Sequence, residues 1–527
     1  MVKNNMDNKK IKIVSIISII ALALTLVAAT YAFFVAQTGE GAQTDIKINA
    51  NTVDTFTFEA GSAINLTINQ ENFASGKGNQ TGTTFAKAML TANNKTNTAT
   101  EHYYLYLNIS NNTFTYSIDN NTPEILLSIK DGSNNEITSV SGLTYKTVTD
   151  GKGASIKGFD ITNKKGLVTI LNNREITTTS TKTEEWNVTV TFVNYNSNQA
   201  GNAGKNFSAK LMIQKEKMPT VLSDVCTSGN NLATCITTLS NKSEPSIVNI
   251  YHHTSSLANG AGDNSYRYAG ASESVNNFVC FGSTETPCPT DNLYRIIGVI
   301  DGKVKLIKYD YATSALLGTD GDYSGSDTPD TDYYKGSLSS IDTYYWNNVT
   351  KKNTWSESNL NKINLNTNFI NNIGSQWANK IATTTWKVGG NTWNNIANSI
   401  PSIAYQNEIV APAENTTYEA KIGLMYASDY GFATSPSAWT TTLLNYDGND
   451  VNGTSIKTIN WMYMGYYDWT LSRNSDHSGR AFLVTDGGYV DYDVVSDRDG
   501  ARPSFNLSSS ITYVSGSGSA VDPILIN

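Results

Sequence analysis

The heptapeptide Trp186-Asn187-Val188-Thr189-Val190-Thr191-Phe192 alternates one large apolar residue with one polar residue along its whole length. Successive side chains of a strand point to opposite faces, so a period of two predicts a half-buried β-strand with one dry face and one wet face. The same beat recurs at Ile46/Ile48/Ala50, Ile64/Leu66/Ile68, Tyr103/Leu105/Leu107/Ile109 and Phe207/Ala209/Leu211/Ile213. Gly, Asn and Asp fall between these runs as turn signals. Several such strands within residues 37–215 predict an antiparallel β-sandwich. Residues 216–224, with Pro219, read as a linker, and residues 225–527 as a second domain of different character.

The composition agrees with that strand pattern. A chain of 527 residues is too long for one ordinary core. Only 16% of residues are charged against 39% hydrophobic, and the polar share is carried by Asn, Thr, Ser and Gly. Such a mixture suits short strands joined by turn-rich loops, a mainly β protein with some helix. The net charge of −8 argues against nucleic acid as a partner, because phosphate binding needs clustered Lys and Arg.

The N-terminus, residues 1–36, is expected to be a cytoplasmic stub followed by a transmembrane or signal segment. Lys9, Lys10 and Lys12 precede a run from Ile13 to Ala36 broken only by Ser15, Ser18, Thr25, Thr30 and Tyr31. About 20 apolar residues span a bilayer core. The positive flank places the N-terminus inside and the bulk of the chain outside. Ala28, Ala29 and Ala32 would suit a signal peptidase, so retention as a membrane anchor and cleavage to a secreted or surface form both stay open. The string Ala29-Thr30-Tyr31-Ala32-Phe33-Phe34 resembles the start of camelysin and TasA-type biofilm-fibre proteins. That resemblance implies a jelly-roll-like sandwich serving as stalk, spacer or fibre module.

Eight of the nine tryptophans lie between Trp346 and Trp469, enough to build a large aromatic core. Asp301-Gly302 separates the apolar runs Tyr294–Ile300 and Val304–Tyr309, a hairpin signal, because a type I′ turn needs positive φ at both central residues. Leu360, Ile363, Phe369, Ile370, Ile373, Trp377 and Ile381 follow at helical spacing, with breaks at Asn and at Gly374. All four cysteines lie between Cys226 and Cys288. In a secreted chain the sequential pairs Cys226–Cys235 and Cys280–Cys288 are the expected disulfides; free thiols and zinc remain the competing readings.

Three segments of this region, Asn292-Leu293-Tyr294-Arg295-Ile296-Ile297-Gly298, Lys421-Ile422-Gly423-Leu424-Met425-Tyr426-Ala427-Ser428-Asp429-Tyr430-Gly431 and Arg502-Pro503-Ser504-Phe505-Asn506-Leu507, resemble an uncharacterised domain of surface proteins from low-GC Gram-positive bacteria. The order Tyr467-Asp468-Trp469-Thr470-Leu471-Ser472-Arg473, Gly487-Gly488, Gly500-Ala501-Arg502-Pro503 is similar to the C-type-lectin-like fold of formylglycine-generating enzymes and receptor-binding proteins. The resemblance implies an α+β C-type-lectin-like domain over residues 225–527. Those enzymes carry a late cysteine pair, whereas no cysteine follows Cys288 here, so their oxidase chemistry is not implied.

Candidate sites follow. Trp461, Tyr466, Tyr467, Trp469, Tyr489, Tyr492 and Arg502 would form a ligand face, for a glycan or a host or cell-surface protein; core packing is the competing reading. Asp320-Gly321-Asp322-Tyr323-Ser324-Gly325 follows the start of a calcium loop, with Asp320, Asp322, Ser324 and Asp327 as ligands for Ca2+. The twelfth-position glutamate is replaced by Thr331, with Asp330 and Asp332 nearby, and a solvated acidic loop is the competing reading. A second acidic run is Asp491, Asp493, Asp497 and Asp499. His102 stands alone, and His477 lies among turn residues, so no catalytic constellation is legible and the chain is expected to be non-enzymatic. The expectation is an adhesion or recognition protein displaying a lectin-like domain on a β-sandwich stalk; a structural subunit of an extracellular fibre or biofilm matrix is the alternative.

Overall fold

The computed structural model describes residues 54–69, 72, 77–93, 97–328, 338–446 and 455–527. The expected membrane segment and the Ile46/Ile48/Ala50 strand lie outside the described residues, as do Asp330, Thr331 and Asp332. Among the described residues no helix is long and apolar enough to cross a membrane. The chain divides into two units, Met1–Lys217 and Met218–Asn527. Leu222, inside the expected linker, is buried in the core of the second unit.

In the first unit, alternation becomes two antiparallel sheets. Its strands are β1 (Thr55–Ala60), β2 (Ile64–Thr67), β3 (Gln80–Thr91), β4 (Ala99–Asn112), β5 (Ile125–Asp131), β6 (Tyr145–Thr149), β7 (Ser155–Asp160), β8 (Gly166–Thr178), β9 (Thr181–Phe192) and β10 (Asn206–Gln214). One sheet runs β1-β3-β9-β5-β7-β6 and the other β2-β10-β4-β8. On β9, Trp186, Val188, Val190 and Phe192 are buried while Asn187 is exposed. They share one core with Ile125, Leu127 and Ile129 of β5 and, from the other sheet, Leu105, Leu107 and Ile109 of β4 and Phe207, Ala209 and Leu211 of β10. Two sheets burying facing apolar sides make a sandwich. One end is pinned by Glu124, fully buried: Oε1 accepts the Ser117 N–H and hydroxyl, and Oε2 accepts Gln199 Nε2 at 3.0 Å and Asn202 Nδ2 at 2.6 Å.

The second unit is built on a seven-stranded antiparallel sheet. Its spatial order is Ile250–His252, Tyr266–Tyr268, Leu293–Ile300, Lys303–Lys308, Ser504–Asn506 and Ile422–Gly423, with Phe278–Cys280 also paired to Leu293–Ile300. The hairpin forms at Asp301 (φ 48°) and Gly302 (φ 71°), the left-handed pair that the type I′ turn requires. Helix α1 (Leu232–Lys242) lays Leu232, Cys235, Ile236 and Leu239 into the same core, and Asn231 caps it by accepting the Thr234 N–H at 3.0 Å. The helical stretch after Leu360 is real but wider than an α-helix: Leu360–Phe369 is π-helical, Ile370–Asn372 follows, and Gly374 breaks it at φ 79°. The cysteines pair sequentially, Cys226–Cys235 and Cys280–Cys288, and none is free, which removes the thiol and zinc alternatives.

Candidate functional site

The aromatic segment splits by burial. Trp461, Trp469 and Arg502 are buried (2%, 0% and 3% exposed), which corrects the expectation that they line a ligand face. Each indole N–H finds a backbone carbonyl, Trp461 on Tyr268 at 2.9 Å and Trp469 on Tyr344 at 2.8 Å, so the rings enter the core with no orphaned donor. Arg502 donates Nε to Asp468 Oδ2 at 2.6 Å and Nη2 to the Met462 carbonyl at 2.8 Å.

Tyr466, Tyr467, Tyr489 and Tyr492 are half-buried. Tyr466 and Tyr467 meet edge to face at 6.1 Å, and Tyr466 donates its hydroxyl to Asp327 Oδ2 at 3.3 Å. The Tyr467 phenol is pushed up to about 12 by burial and then by Asp486 and Tyr489 beside it. Tyr489 closes a tight hairpin whose tip is Gly487-Gly488, with Gly488 at φ 90°. That tip is fastened from below: Tyr430 donates to the Gly488 carbonyl at 2.6 Å, and Tyr463 to the Asp486 carbonyl. Tyr466, Tyr467 and Tyr489 thus form a ridge beside Asp486 of the fastened tip and Asp327 at the end of the strand Tyr323–Asp327. Tyr492 belongs elsewhere, under the Arg480 guanidinium at 4.6 Å and beside His477.

Behind the ridge, Asp499 is buried with Oδ2 unpartnered. Burial, then the charges of Asp493, Asp497 and Asp468, holds it well above the usual carboxylate range. Asp491 instead accepts the Trp393 indole N–H at 2.9 Å.

The calcium-loop expectation is corrected. Asp322 is buried and spent on the backbone, its Oδ1 accepting the Asn348 N–H at 3.1 Å and its Oδ2 those of Asn359 and Leu360 at 2.9 and 3.0 Å. Asp320 accepts Asn368 Nδ2 at 2.6 Å, Ser324 pairs with Thr343 at 2.8 Å, and Asp327 serves Tyr466. The carboxylates therefore diverge into separate hydrogen bonds instead of converging, and among the described residues no group of His, Cys, Asp or Glu is arranged to hold a metal ion.

One residue, Asp486, and one cluster escaped the sequence reading. Asp486 carried a signal, since Asp-Gly-Gly marks a turn tip beside aromatic strands. The set of buried Arg267, Lys305, Glu408 and Asp429 with half-buried Asp263 carried none, because its members are spread over more than a hundred positions and meet only in the fold. His102 sits on β4 beside Glu175 at 3.5 Å, both exposed, and His477 lies on an exposed turn. Compared with known proteins, the chain matches no family model and no curated sequence.

Proposed function

We propose that the protein is an extracytoplasmic bacterial surface protein that recognises a glycan through the Tyr466–Tyr467–Tyr489 ridge of its second unit. In this reading the N-terminal segment tethers the chain, the first unit is a stalk, and the second is a non-catalytic module of C-type-lectin-like type. The observation that carries it is half-exposed tyrosine rings flanked by Asp327, at the end of the strand Tyr323–Asp327, and by Asp486 on a hairpin tip fixed by Tyr430 and Tyr463. Ring faces stack on the apolar face of a sugar, and carboxylates accept its hydroxyls. A preorganised ridge loses little freedom on binding.

The test is a glycan array probed with the purified full chain, its Tyr467→Ala variant and its Tyr489→Ala variant. Specific binding that falls at least tenfold in both variants, with near-ultraviolet circular dichroism unchanged, supports the reading. Binding that persists in both variants, or no binding of the native chain to any glycan, overturns it. Because Asp320 Oδ1, both Asp322 oxygens and Asp327 Oδ2 accept protein donors, a chelator should leave the binding unchanged, and a loss of binding in chelator would count against the geometry described above.

A further inference from the structure

Lys305 and Asp429 meet in the core of the second unit. Nζ lies 2.5 Å from Asp429 Oδ2, and the residues are 4% and 3% exposed. Aromatic rings wall the amine, Tyr426 at 4.7 Å and Trp386 at 5.5 Å. The other carboxyl oxygen, Oδ1, is held by Arg267 Nη1 at 3.2 Å, and Arg267 is itself paired with Asp263 at 2.9 Å. A buried ion pair seldom repays the desolvation of its two charges, so this arrangement asks for a further explanation.

We propose that Lys305 and Asp429 condense in the folded protein to an intramolecular amide that ties the central strand Lys303–Lys308 to the helix Ala427–Phe432. The ammonium first passes one proton to Asp429 Oδ2. The neutral Nζ then attacks Cγ, and the Nζ–Cγ bond forms. A second proton moves from nitrogen to Oδ2, the Cγ–Oδ2 bond breaks, and Oδ2 departs as water. Oδ1 remains as the amide oxygen, and Arg267 is placed to stabilise the negative charge it carries during addition. The step needs no oxidant and no net proton.

Three observations favour the step. Burial lowers the proton affinity of the Lys305 amine, the direction a nucleophilic lysine needs, although Lys305 and Arg267 also hold the Asp429 carboxyl below its usual range, so geometry carries the step. The two groups are buried and held at contact, so little is lost to orientation. Charge also balances on both sides. Before condensation Arg267 and Lys305 face Asp263 and Asp429, beside a Glu408 carboxyl that burial holds above its usual range; afterwards Arg267 faces Asp263 and two buried charges are gone. The cross-link closes a loop with a sequence separation of 124 residues, which would restrict the unfolded chain strongly.

The experiment is mass spectrometry on the full chain, purified folded as judged by near-ultraviolet circular dichroism and then reduced and denatured. The expected result is a tryptic species joining the Lys305 and Asp429 segments, lighter than their sum by one water, with no cleavage after Lys305. The Lys305→Arg variant should lose that species. Linear peptides cut after Lys305, recovered in full yield from the folded native chain, would overturn the proposal and leave an ordinary ion pair.

Discussion

Trp469 has no exposed surface and donates its indole N–H to the Tyr344 carbonyl, whereas Tyr467, two positions earlier, keeps part of its ring in solvent. Removing them should therefore have unequal effects. Trp469→Ala leaves a cavity and an unpaired carbonyl, and should cost about 3–5 kcal/mol. Tyr467→Ala should cost about 1 kcal/mol, within the range of a partly exposed side chain. Urea titration followed by near-ultraviolet circular dichroism compares the two; equal costs would mean the ridge is core after all. Asp468 gives a second test at this scale. Burial pushes its carboxyl up to about 6, although Arg502 pulls the other way. The folded value lies above the unfolded one, near 3.9, so the native state holds this proton more tightly. Its contribution is fully present below about pH 4 and is lost as the pH rises through 6, on the order of 3 kcal/mol. Buried Asp499 is shifted in the same direction. Buried His253 is held down to about 3 and pulls the other way, so the Asp468 contribution is read between chains: from pH 5 to pH 7.5 the native protein should lose more stability than Asp468→Asn does. The same pH dependence in the native chain and in Asp468→Asn would contradict the assignment.

Among the elements, the hairpin across Asp301-Gly302 has a weak point that a turn motif does not reveal. The pairing of Leu293–Ile300 with Lys303–Lys308 shifts between Ile296 and Gly298, and a Cβ at Gly298 would run into the Tyr266 carbonyl oxygen of the neighbouring strand. Gly298→Ala should cost about 1–3 kcal/mol by forcing those strands apart, read as a lowered midpoint in thermal denaturation. A neutral substitution would show that the bulge can yield. The strands and this turn were legible because their signals are local: alternation on β9, two left-handed positions at Asp301 and Gly302. The π-helical form of Leu360–Phe369 was not. Its asparagines read as breaks, yet Asn361 and Asn364 are buried and donate to the Trp355, Leu317 and Asp320 carbonyls. Polar residues buried through satisfied hydrogen bonds look like loop residues to any reading based on hydrophobic period. The ridge was half legible for the same reason: periodicity locates aromatic residues, but which of them face water depends on carbonyls from distant segments, such as Tyr268 and Tyr344.

For the whole molecule, the separate cores and the placement of the cysteines lead to one further prediction. The first unit closes its sandwich around its own apolar residues, while both disulfides and eight of the nine tryptophans lie in the second. The disulfides close short loops, with sequence separations of 9 and 8, and chain entropy gives about 2–3 kcal/mol for each. Cys226–Cys235 fixes the first turn of α1 to the residues leading into it, and Cys280–Cys288 fixes a strand of the main sheet. Opening them should loosen the second unit without touching the sandwich. Tryptophan fluorescence reports almost entirely on the second unit, because Trp186 is the only indole in the first. In a reductant, the denaturation midpoint followed by fluorescence should fall by an amount equivalent to about 5 kcal/mol. Hydrogen exchange of the β3 and β9 amides, paired along Gln80–Thr91, should keep its protection. If exchange in those strands accelerates in step with the fluorescence change, the two cores form one cooperative system, and a stalk carrying an independent recognition module would no longer describe the chain.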